Sequence, residues 1–145
     1  MDHRQAVITA LYNELTTDPA LQGLCGGTVR LVDGMPPPNT KFPYLTHRIG
    51  LKVKDASWAF AEGDWYLDIW DHSPNADAAL AIRACVIALM DQLILQPAGG
   101  EVVVMEIRFV RDGKGPTDAP DIYRLMTQWE LHLDRQVEVE AVLGR

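Results

Sequence analysis

Within the segment 63–71, Trp65, Leu67 and Ile69 alternate with Asp64, Tyr66, Asp68 and Trp70, and this alternation constrains the fold more than any other feature. Successive side chains of a β-strand point to opposite faces, so the pattern predicts one face against a core and the other toward water or a partner. Comparable patterns predict strands over 44–52, 101–111 and 122–133, and a short edge strand over 28–32. The inward set of 63–71 is Trp65, Leu67 and Ile69, and the outward set is Asp64, Tyr66, Asp68 and Trp70.

Helical periodicity predicts three helices. Apolar residues recur at three- and four-residue spacing over 3–15, which predicts an amphipathic helix. Asp18-Pro19 supplies a capping side chain and a proline suited to a helix start, so a short helix is predicted over 20–24, ended by Gly26-Gly27. The third and longest helix is predicted over 75–96.

The predicted order of elements is helix, short helix, edge strand, two strands, long helix and two strands. This order contains no repeating βαβ pattern, which disfavours a doubly wound parallel sheet. We therefore expect an α+β fold in which an antiparallel β-sheet of about four to five strands is packed by an N-terminal helix and a long central helix. The proline-bearing segment 33–40 is predicted as a stiff loop, and 53–62 and 112–120 as exposed connections.

The chain has 145 residues, of which 48% are apolar. A domain of this size buries roughly 70% of its unfolded surface, so one hydrophobic core is expected. We predict a single domain over 1–135 and a C-terminal extension over 136–145. The extension opens on an alternating stretch, 136–142, with three interpretations: a frayed terminus, a continuation of the last strand, or an arm that pairs with a neighbouring subunit.

Charge and cysteine content argue against several classes of function. Thirteen Lys and Arg against twenty Asp and Glu leave a net charge of −7, which disfavours tight binding to duplex nucleic acid. The uncharged apolar stretches are too short to span a membrane, and the N-terminus shows no secretory signal. Cys25 and Cys85 are too few for a disulfide framework and are expected as buried thiols in a reducing cytoplasm.

The residues most suggestive of catalysis are Asp64, Asp68, Asp71 and His72. On a strand, Asp64 and Asp68 would be ~13 Å apart, and Asp71 would point to the face opposite Asp68. Neither a carboxylate pair nor a metal site follows from this spacing, so the favoured interpretation is a solvated sheet face that leads into a helix cap. The alternative is a cross-strand meeting of His47 with Asp68 or Asp71.

Other ligand-binding motifs are weak. The four histidines lack the close spacing of zinc ligands. The segment Asp112-Gly113-Lys114-Gly115 lacks the frame of a phosphate-binding loop and is predicted as a turn. We therefore predict no catalytic residue, no cofactor and no bound metal.

Interaction residues are predicted in three places. The aromatic side chains within 53–62 either fold back as a lid on the sheet or anchor another subunit, since aromatic residues are enriched at interface centres. The loop 112–120 and the alternating stretch 136–142 are expected to project toward partners. The predicted interface residues are Trp58, Phe60, Lys114, Val137, Val139 and Val142.

Several short motifs also follow one another in a distinctive order. The early helix leads into Asp18-Pro19-Ala20-Leu21, and then into Gly26-Gly27-Thr28-Val29 and Phe42-Pro43-Tyr44-Leu45. Leu67-Asp68-Ile69-Trp70-Asp71 then precedes an alanine-rich helix, and 123–131 carries a late alternating strand. In the order and spacing of these motifs, between residues 7 and 133, the chain resembles the tail completion proteins of long-tailed bacteriophages, also called tail terminators or tail-to-head joining proteins.

The resemblance implies a non-enzymatic virion protein at the head-tail interface, made in the host cytoplasm. Family members have a small α+β domain and form a ring, commonly a hexamer, on the last ring of tail-tube protein. There they stop tube polymerisation and meet the head connector, and DNA passes through the lumen without specific binding. Because a basic lumen would retard the genome, we expect Asp and Glu side chains to line the channel. The segment around Trp58 and the extension past Asp134 depart from the family.

Two other classes of function remain open. A small α+β adaptor could bind a peptide at an exposed strand edge. An enzyme could use the neighbourhood of His47, Asp68 and Asp71. Ring formation would separate the structural protein from a monomeric adaptor, and alanine variants of His47 and Asp68 would test the enzyme.

Overall fold

The computed structural model describes residues 3–53, 60–72, 76–97 and 102–135. Within these ranges the chain forms three helices and six strands. The helices are α1 (His3–Thr16), α2 (Pro19–Leu24) and α3 (Asp77–Met90). The strands are β1 (Leu31–Asp33), β2 (Tyr44–Val53), β3 (Phe60–Asp71), β4 (Ile94–Leu95), β5 (Val102–Gly115) and β6 (Tyr123–Arg135).

The strands form one sheet in the order β1-β2-β3-β6-β5-β4. β1 runs parallel to β2, and the other neighbouring pairs are antiparallel. The sheet curls into a half-barrel and holds more of the described residues than the helices do. The predicted α+β fold with an antiparallel sheet of four to five strands is therefore wrong, because the structure is mostly β and has one mixed sheet of six strands.

Two local features account for the difference. α3 ends at Met90, before the predicted end at residue 96, and Gln92 then adopts the left-handed conformation with a φ of 64°. The chain turns back there, and β4 pairs with β5 as an additional strand. At the opposite edge, the loop 34–43 returns the chain to the end of the sheet at which β1 began, so that β1 runs parallel to β2. The central helix is as short as α1, with 14 residues in each.

The helix ends predicted early in the chain are confirmed. Asp18 accepts a hydrogen bond from the Leu21 backbone N–H at 2.9 Å, which caps α2, and Pro19 lies in its first turn. Gly26 and Gly27 follow with φ of 81° and 110°, a conformation that glycine adopts without the steric cost of a Cβ. This turn lets α2 pack beside α3.

The helices pack on one face of the sheet, the core face, around two tryptophans. Trp65 of β3 lies directly opposite Trp129 of β6, and both are fully buried. Trp65 Nε1 donates to His47 Nδ1 at 3.1 Å, and Trp129 Nε1 donates to Thr127 Oγ1 at 2.8 Å. These bonds avoid the cost of burying an unpaired indole N–H. The surrounding core includes Leu11, Leu15, Leu67, Ile69, Ile82, Val86, Met105 and Ile107.

The predicted alternation of buried and outward side chains is confirmed in β3 and β6. The β5–β6 hairpin is longer than predicted, because β5 continues to Gly115 and Lys114 pairs with Leu125. The connecting loop is therefore 116–122 instead of 112–120. A register shift at Val110 makes a bulge in β5.

Candidate interaction surface

The face of the sheet opposite the helices carries a regular grid of polar and aromatic side chains, which we call the open face. Directly paired residues of neighbouring strands share a face, so the strand register places them in rows across β2, β3, β6 and β5. The rows are, in order, Tyr44, Trp70, Arg124 and Gly115; Thr46, Asp68, Met126 and Gly113; Arg48, Tyr66, Gln128 and Arg111; Gly50, Asp64, Glu130 and Arg108; and Lys52, Glu62, His132 and Glu106.

Arg124 is the centre of a cluster at the aromatic end of the open face. Trp70 stacks on Tyr44, with ring centroids 5.8 Å apart, and its Nε1 donates to Thr46 Oγ1 at 3.0 Å. The Arg124 guanidinium lies 4.8 Å from the Trp70 ring centroid and donates to Asp68 Oδ2 at 2.7 and 3.0 Å. Asp68 is 8% exposed, so its carboxylate depends on Arg124 for charge compensation. The cluster is therefore an ordered and largely desolvated part of the surface.

A groove of about 520 Å³ borders this cluster. Its floor includes Tyr66 and Trp70 of the open face, and the loop segments 34–36 and 117–122 contribute its sides. Met35, on one side, is 89% exposed. Aromatic, apolar and charged groups thus meet in one depression, which is the usual composition of a protein contact site.

One polar contact ties the end of β3 to the loop 116–122. His72 Nε2 and Asp121 Oδ2 are 2.5 Å apart, and the His72 ring stacks on Phe42 with centroids 5.6 Å apart. The hydrogen bond to His72 lowers the pKa of the Asp121 carboxyl. Both side chains are more than half exposed, so the pair adds little to the free energy of unfolding.

The middle row of the open face is basic. Arg48 lies over the Tyr66 ring, 5.1 Å from its centroid, and Arg111 Nε donates to Gln128 Oε1 at 2.8 Å. Both arginines are exposed, and the contacts that hold them are with uncharged groups. Their charges are therefore available to a partner.

The far end of the open face is acidic. Asp64 lies directly opposite Glu130, and Glu62 is in the next row. Together with Lys52 and His132, these carboxylates line a depression of about 220 Å³. Like charges placed directly opposite on a sheet destabilise it, so the Asp64 and Glu130 pair opposes folding. On its other side Glu130 lies opposite Arg108, and its carboxylate is 3.6 Å from His132 Nε2, so Glu130 is partly compensated within the chain.

The outer edge of β5 is only partly covered. On this side Ile107 N–H donates to Leu93 O at 3.0 Å, and Phe109 N–H donates to Asp91 Oδ1 at 2.9 Å. In the part of the chain that the structure describes, hydrogen bonding to the backbone on this side stops at Phe109. We call residues 110–115 the β5 edge.

His47 and Asp68, considered as a catalytic pair, lie on opposite faces of the sheet. His47 is buried on the core face, where it accepts the Trp65 hydrogen bond, whereas Asp68 is held by its ion pair on the open face. Burial lowers the pKa of His47 and raises the pKa of the Cys25 and Cys85 thiols, so all three are favoured in their neutral forms. Among the described residues, no group of three or more His, Cys, Asp or Glu could hold a metal ion.

The predicted interface residues have different outcomes. Lys114 is exposed on the β5 edge, with Nζ 5.6 Å from the Tyr123 ring centroid. Phe60 is the first residue of β3, and its backbone pairs with Asp134. The remaining predictions lie outside the described residues, namely Trp58, Val137, Val139, Val142 and the extension 136–145.

Sequence reasoning missed the Arg124 cluster. Arg124 lies 56 residues from Asp68, and only the register of β3 against β6 brings the two side chains together. The alternation did place Asp68 and Trp70 on one outward face, which was the available signal. The alternation within one strand does not show which residue of another strand lies beside Asp68 and Trp70.

No protein-family model matches the chain, and no curated protein matches it. Solved structures do match. A chain from the virion of a native gene transfer agent particle is similar over 90% of this chain and 96% of its own length, with a TM-score of 0.75 and 21% identity. A second solved structure is similar over 90% of this chain and 95% of its own, with a TM-score of 0.64 and 15% identity. At these identities the similarity shows a shared fold.

The three described helices, α1, α2 and α3, have at most 14 residues each. None of them is long and apolar enough to cross a bilayer.

Proposed function

We propose that the chain is a non-enzymatic structural protein of a phage-like virion, a tail terminator. In this role it forms a homo-oligomeric ring, a hexamer, at the head-proximal end of a tail tube, ends tube polymerisation and joins the tail to the head connector. The observation that carries the proposal is the fold shared with a chain of a gene transfer agent virion, which extends over nearly the whole of both chains. The motif order that resembles tail completion proteins supports the same role.

The surfaces of the sheet fit a ring subunit. A head-to-tail ring needs two different surfaces on each subunit, one for each neighbour. The β5 edge is our candidate for one of them, and the groove beside Arg124, which differs from it in shape and chemistry, is a second candidate contact site. The acidic end of the open face, with Asp64 and Glu130, is our candidate for the lumen wall, since carboxylates do not bind the phosphates of passing DNA.

Electron microscopy of the purified full chain mixed with its tail tubes tests the proposal. We expect extra ring-shaped density at one end of each tube, and tubes of uniform length. A chain that stays monomeric and leaves both tube ends bare would contradict the proposal. In a resolved ring, a lumen lined by Lys and Arg side chains would contradict the placement of Asp64 and Glu130.

Variants of His47 and Asp68 test the non-enzymatic part of the proposal. His47→Gln retains an acceptor for the Trp65 indole, and Asp68→Asn retains an acceptor for Arg124, so both should fold. We expect both variants to assemble on tubes like the parent chain. Loss of particle infectivity in a variant that folds and assembles normally would instead support a catalytic role.

A peptide-binding adaptor is the second candidate, and the β5 edge is the observation that favours it. An extended peptide could add to this edge as a strand. The adaptor predicts a protein that is monomeric at all tested concentrations and binds an unrelated extended peptide in a 1:1 complex. Ring assembly on tail tubes excludes this candidate as the main function.

A further inference from the structure

We propose that the β5 edge receives the segment 136–142 of a second copy of this chain, which adds to the sheet as an extra strand. The inference rests on the proposed function, because it names the contact between neighbouring subunits of the ring. Four observations support it: the direction of the backbone N–H groups, the charge of the β5 edge, the sequence of the segment, and the distance that the segment must cover.

The backbone of the β5 edge points hydrogen-bond donors away from the sheet. Residues of one strand that share a face also point their N–H groups to the same side. Ile107 and Phe109 lie on the core face and donate away from β6. Asp112 and Lys114 share that face beyond the bulge, because the register pairs them with core-face residues of β6. Their N–H groups are therefore directed at an incoming strand.

The β5 edge is basic, although the whole chain carries a net charge of −7. Arg111 is exposed on the open face and bonds to the Gln128 amide, and Lys114 is exposed on the opposite face beside an aromatic ring. The acidic residue of this edge, Asp112, is engaged by Arg83 of α3 at 2.6 Å. An incoming strand thus meets one cation on each face.

The segment 136–142 supplies carboxylates for one of these two faces. Val137 and Val139 alternate with Glu138 and Glu140, and the segment contains neither proline nor glycine. In an extended strand both carboxylates share one face and both valines share the other. With the carboxylates on the open face, they meet Arg111, while main-chain hydrogen bonds to the β5 edge supply the affinity.

Distance favours a second copy over the same chain. β6 ends at Arg135, opposite Val102, whereas Lys114 lies near the other end of β5. At ~3.3 Å per residue, Val102 and Lys114 are separated by about 40 Å along the strand. The segment 136–142 spans at most about 25 Å when fully extended. Val110, where the β5 edge begins, is already about 26 Å from Val102, so the segment cannot lie along its own β5 edge. The edge of a neighbouring copy has no such limit.

Disulfide cross-linking between two singly substituted chains tests the contact. A Cβ at Gly113 would meet nothing within 4 Å, so Gly113→Cys is sterically tolerated at the β5 edge. Oxidation of rings assembled from Gly113→Cys chains and Glu140→Cys chains is expected to give a covalent dimer. Because each chain carries only one of the two substitutions, a disulfide between residues 113 and 140 joins different chains. Gly50→Cys is the matched control, because Gly50 is also exposed on the open face with free space around it, but lies on β2. Its mixture with Glu140→Cys should give no dimer above the level of either variant alone.

A proline substitution tests the backbone bonds. Lys114→Pro removes an outward N–H that lies outside the β5–β6 ladder, so an edge strand should tolerate it, and Lys114→Ala removes the same side chain but keeps the N–H. We expect Lys114→Pro to weaken ring assembly about tenfold relative to Lys114→Ala, with unchanged circular dichroism.

The outcomes separate the two proposals. Rings that form without the Gly113→Cys cross-link overturn this inference and leave the proposed function standing. Equal assembly of Lys114→Pro and Lys114→Ala would likewise overturn this inference and leave the proposed function standing. A parent chain that forms no ring on tail tubes contradicts both proposals, whatever the cross-linking shows.

Discussion

Replacing Arg124 with methionine would leave the Asp68 carboxylate largely buried and without its cation. The guanidinium donates two hydrogen bonds to one Asp68 oxygen and also lies over Trp70. Methionine retains much of the apolar stem but supplies neither the charge nor the donors. The free energy of unfolding should therefore fall because of the uncompensated carboxylate, with a smaller part from the lost ring contact.

The magnitude follows from the burial of the pair. Removing one partner of a buried ion pair costs about 3–5 kcal/mol. The side chains of Arg124 and Asp68 are 22% and 11% exposed, so partial solvation reduces this, and we expect about 2–3 kcal/mol for Arg124→Met. Arg124→Lys keeps the charge but loses the two-donor fork and should cost about 1 kcal/mol. In the double variant with Asp68→Asn the buried charge is gone, so its cost should be about 1–2 kcal/mol below the sum of the single variants.

Urea unfolding followed by circular dichroism measures these differences. With a slope of about 1–3 kcal/mol per molar urea, the midpoint for Arg124→Met should fall by about 0.7–3 M. Arg111→Met is the matched control, since Arg111 is an exposed arginine of the same face that bonds to an amide, and it should change stability by less than about 0.5 kcal/mol. If Arg124→Met is as mild as this control, or if the double variant is additive, then Asp68 does not depend on Arg124 as argued.

Three further predictions concern the core and its polar groups. A Cβ at Gly63 would lie 2.6 Å from Leu51 Cδ2 and 3.0 Å from Gly50 O, so Gly63→Ala should cost about 1–3 kcal/mol in urea unfolding, whereas Gly50→Ala, with open space around it, should be nearly neutral. Thr127→Val removes the acceptor of a buried indole N–H and should cost about 1–3 kcal/mol, while Thr127→Ser should restore most of it. Burial lowers the pKa of His47, so below its ordinary value near ~6.5 the unfolded chain binds a proton that the folded chain does not. Between that value and the lowered pKa, the free energy of unfolding should fall by up to ~1.4 kcal/mol for each pH unit of acidification. The variant His47→Gln should lose this part of the pH dependence. Equal pH dependence in both proteins would show that the pKa of His47 is not lowered.

The alternation of side chains was enough to predict which faces of the long strands are buried. Trp65, Leu67 and Ile69 are fully buried, as their spacing predicts. Such a pattern contains no information on the direction of a neighbouring strand, because a parallel and an antiparallel partner can bury the same face. The parallel pairing of β1 with β2 was therefore missed. The loop predicted over 33–40 lies almost wholly within the observed connection 34–43, but its part in the parallel pairing was not predicted.

The end of α3 was missed for a different reason. Apolar residues continue at helical spacing beyond Met90, so periodicity alone extends the predicted helix to residue 96. The structure ends it because the Asp91 carboxylate accepts the Phe109 N–H and Gln92 takes a left-handed conformation. Both are consequences of docking against β5, a contact distant in sequence. The same limit applies to the Arg124 cluster, whose members come from three strands.

The β5 edge leaves backbone hydrogen-bonding groups without a partner in the described part of the chain. A long edge strand offers unpaired backbone groups to other chains, and monomeric proteins shorten, bend or cover such edges. Here β5 has 14 residues, and β4, with two, pairs only with Met105 and Glu106. The bulge at Val110 increases the local twist, but Val110 is itself 41% exposed, and the strand continues for five residues beyond it. Arg111 and Lys114 disfavour pairing with a second copy of this same edge, because like charges would meet, and they favour pairing with an acidic strand. The β5 edge therefore repels a second copy of itself but can pair with an acidic strand. Such selectivity suits a ring in which each subunit must pair with the correct part of its neighbour.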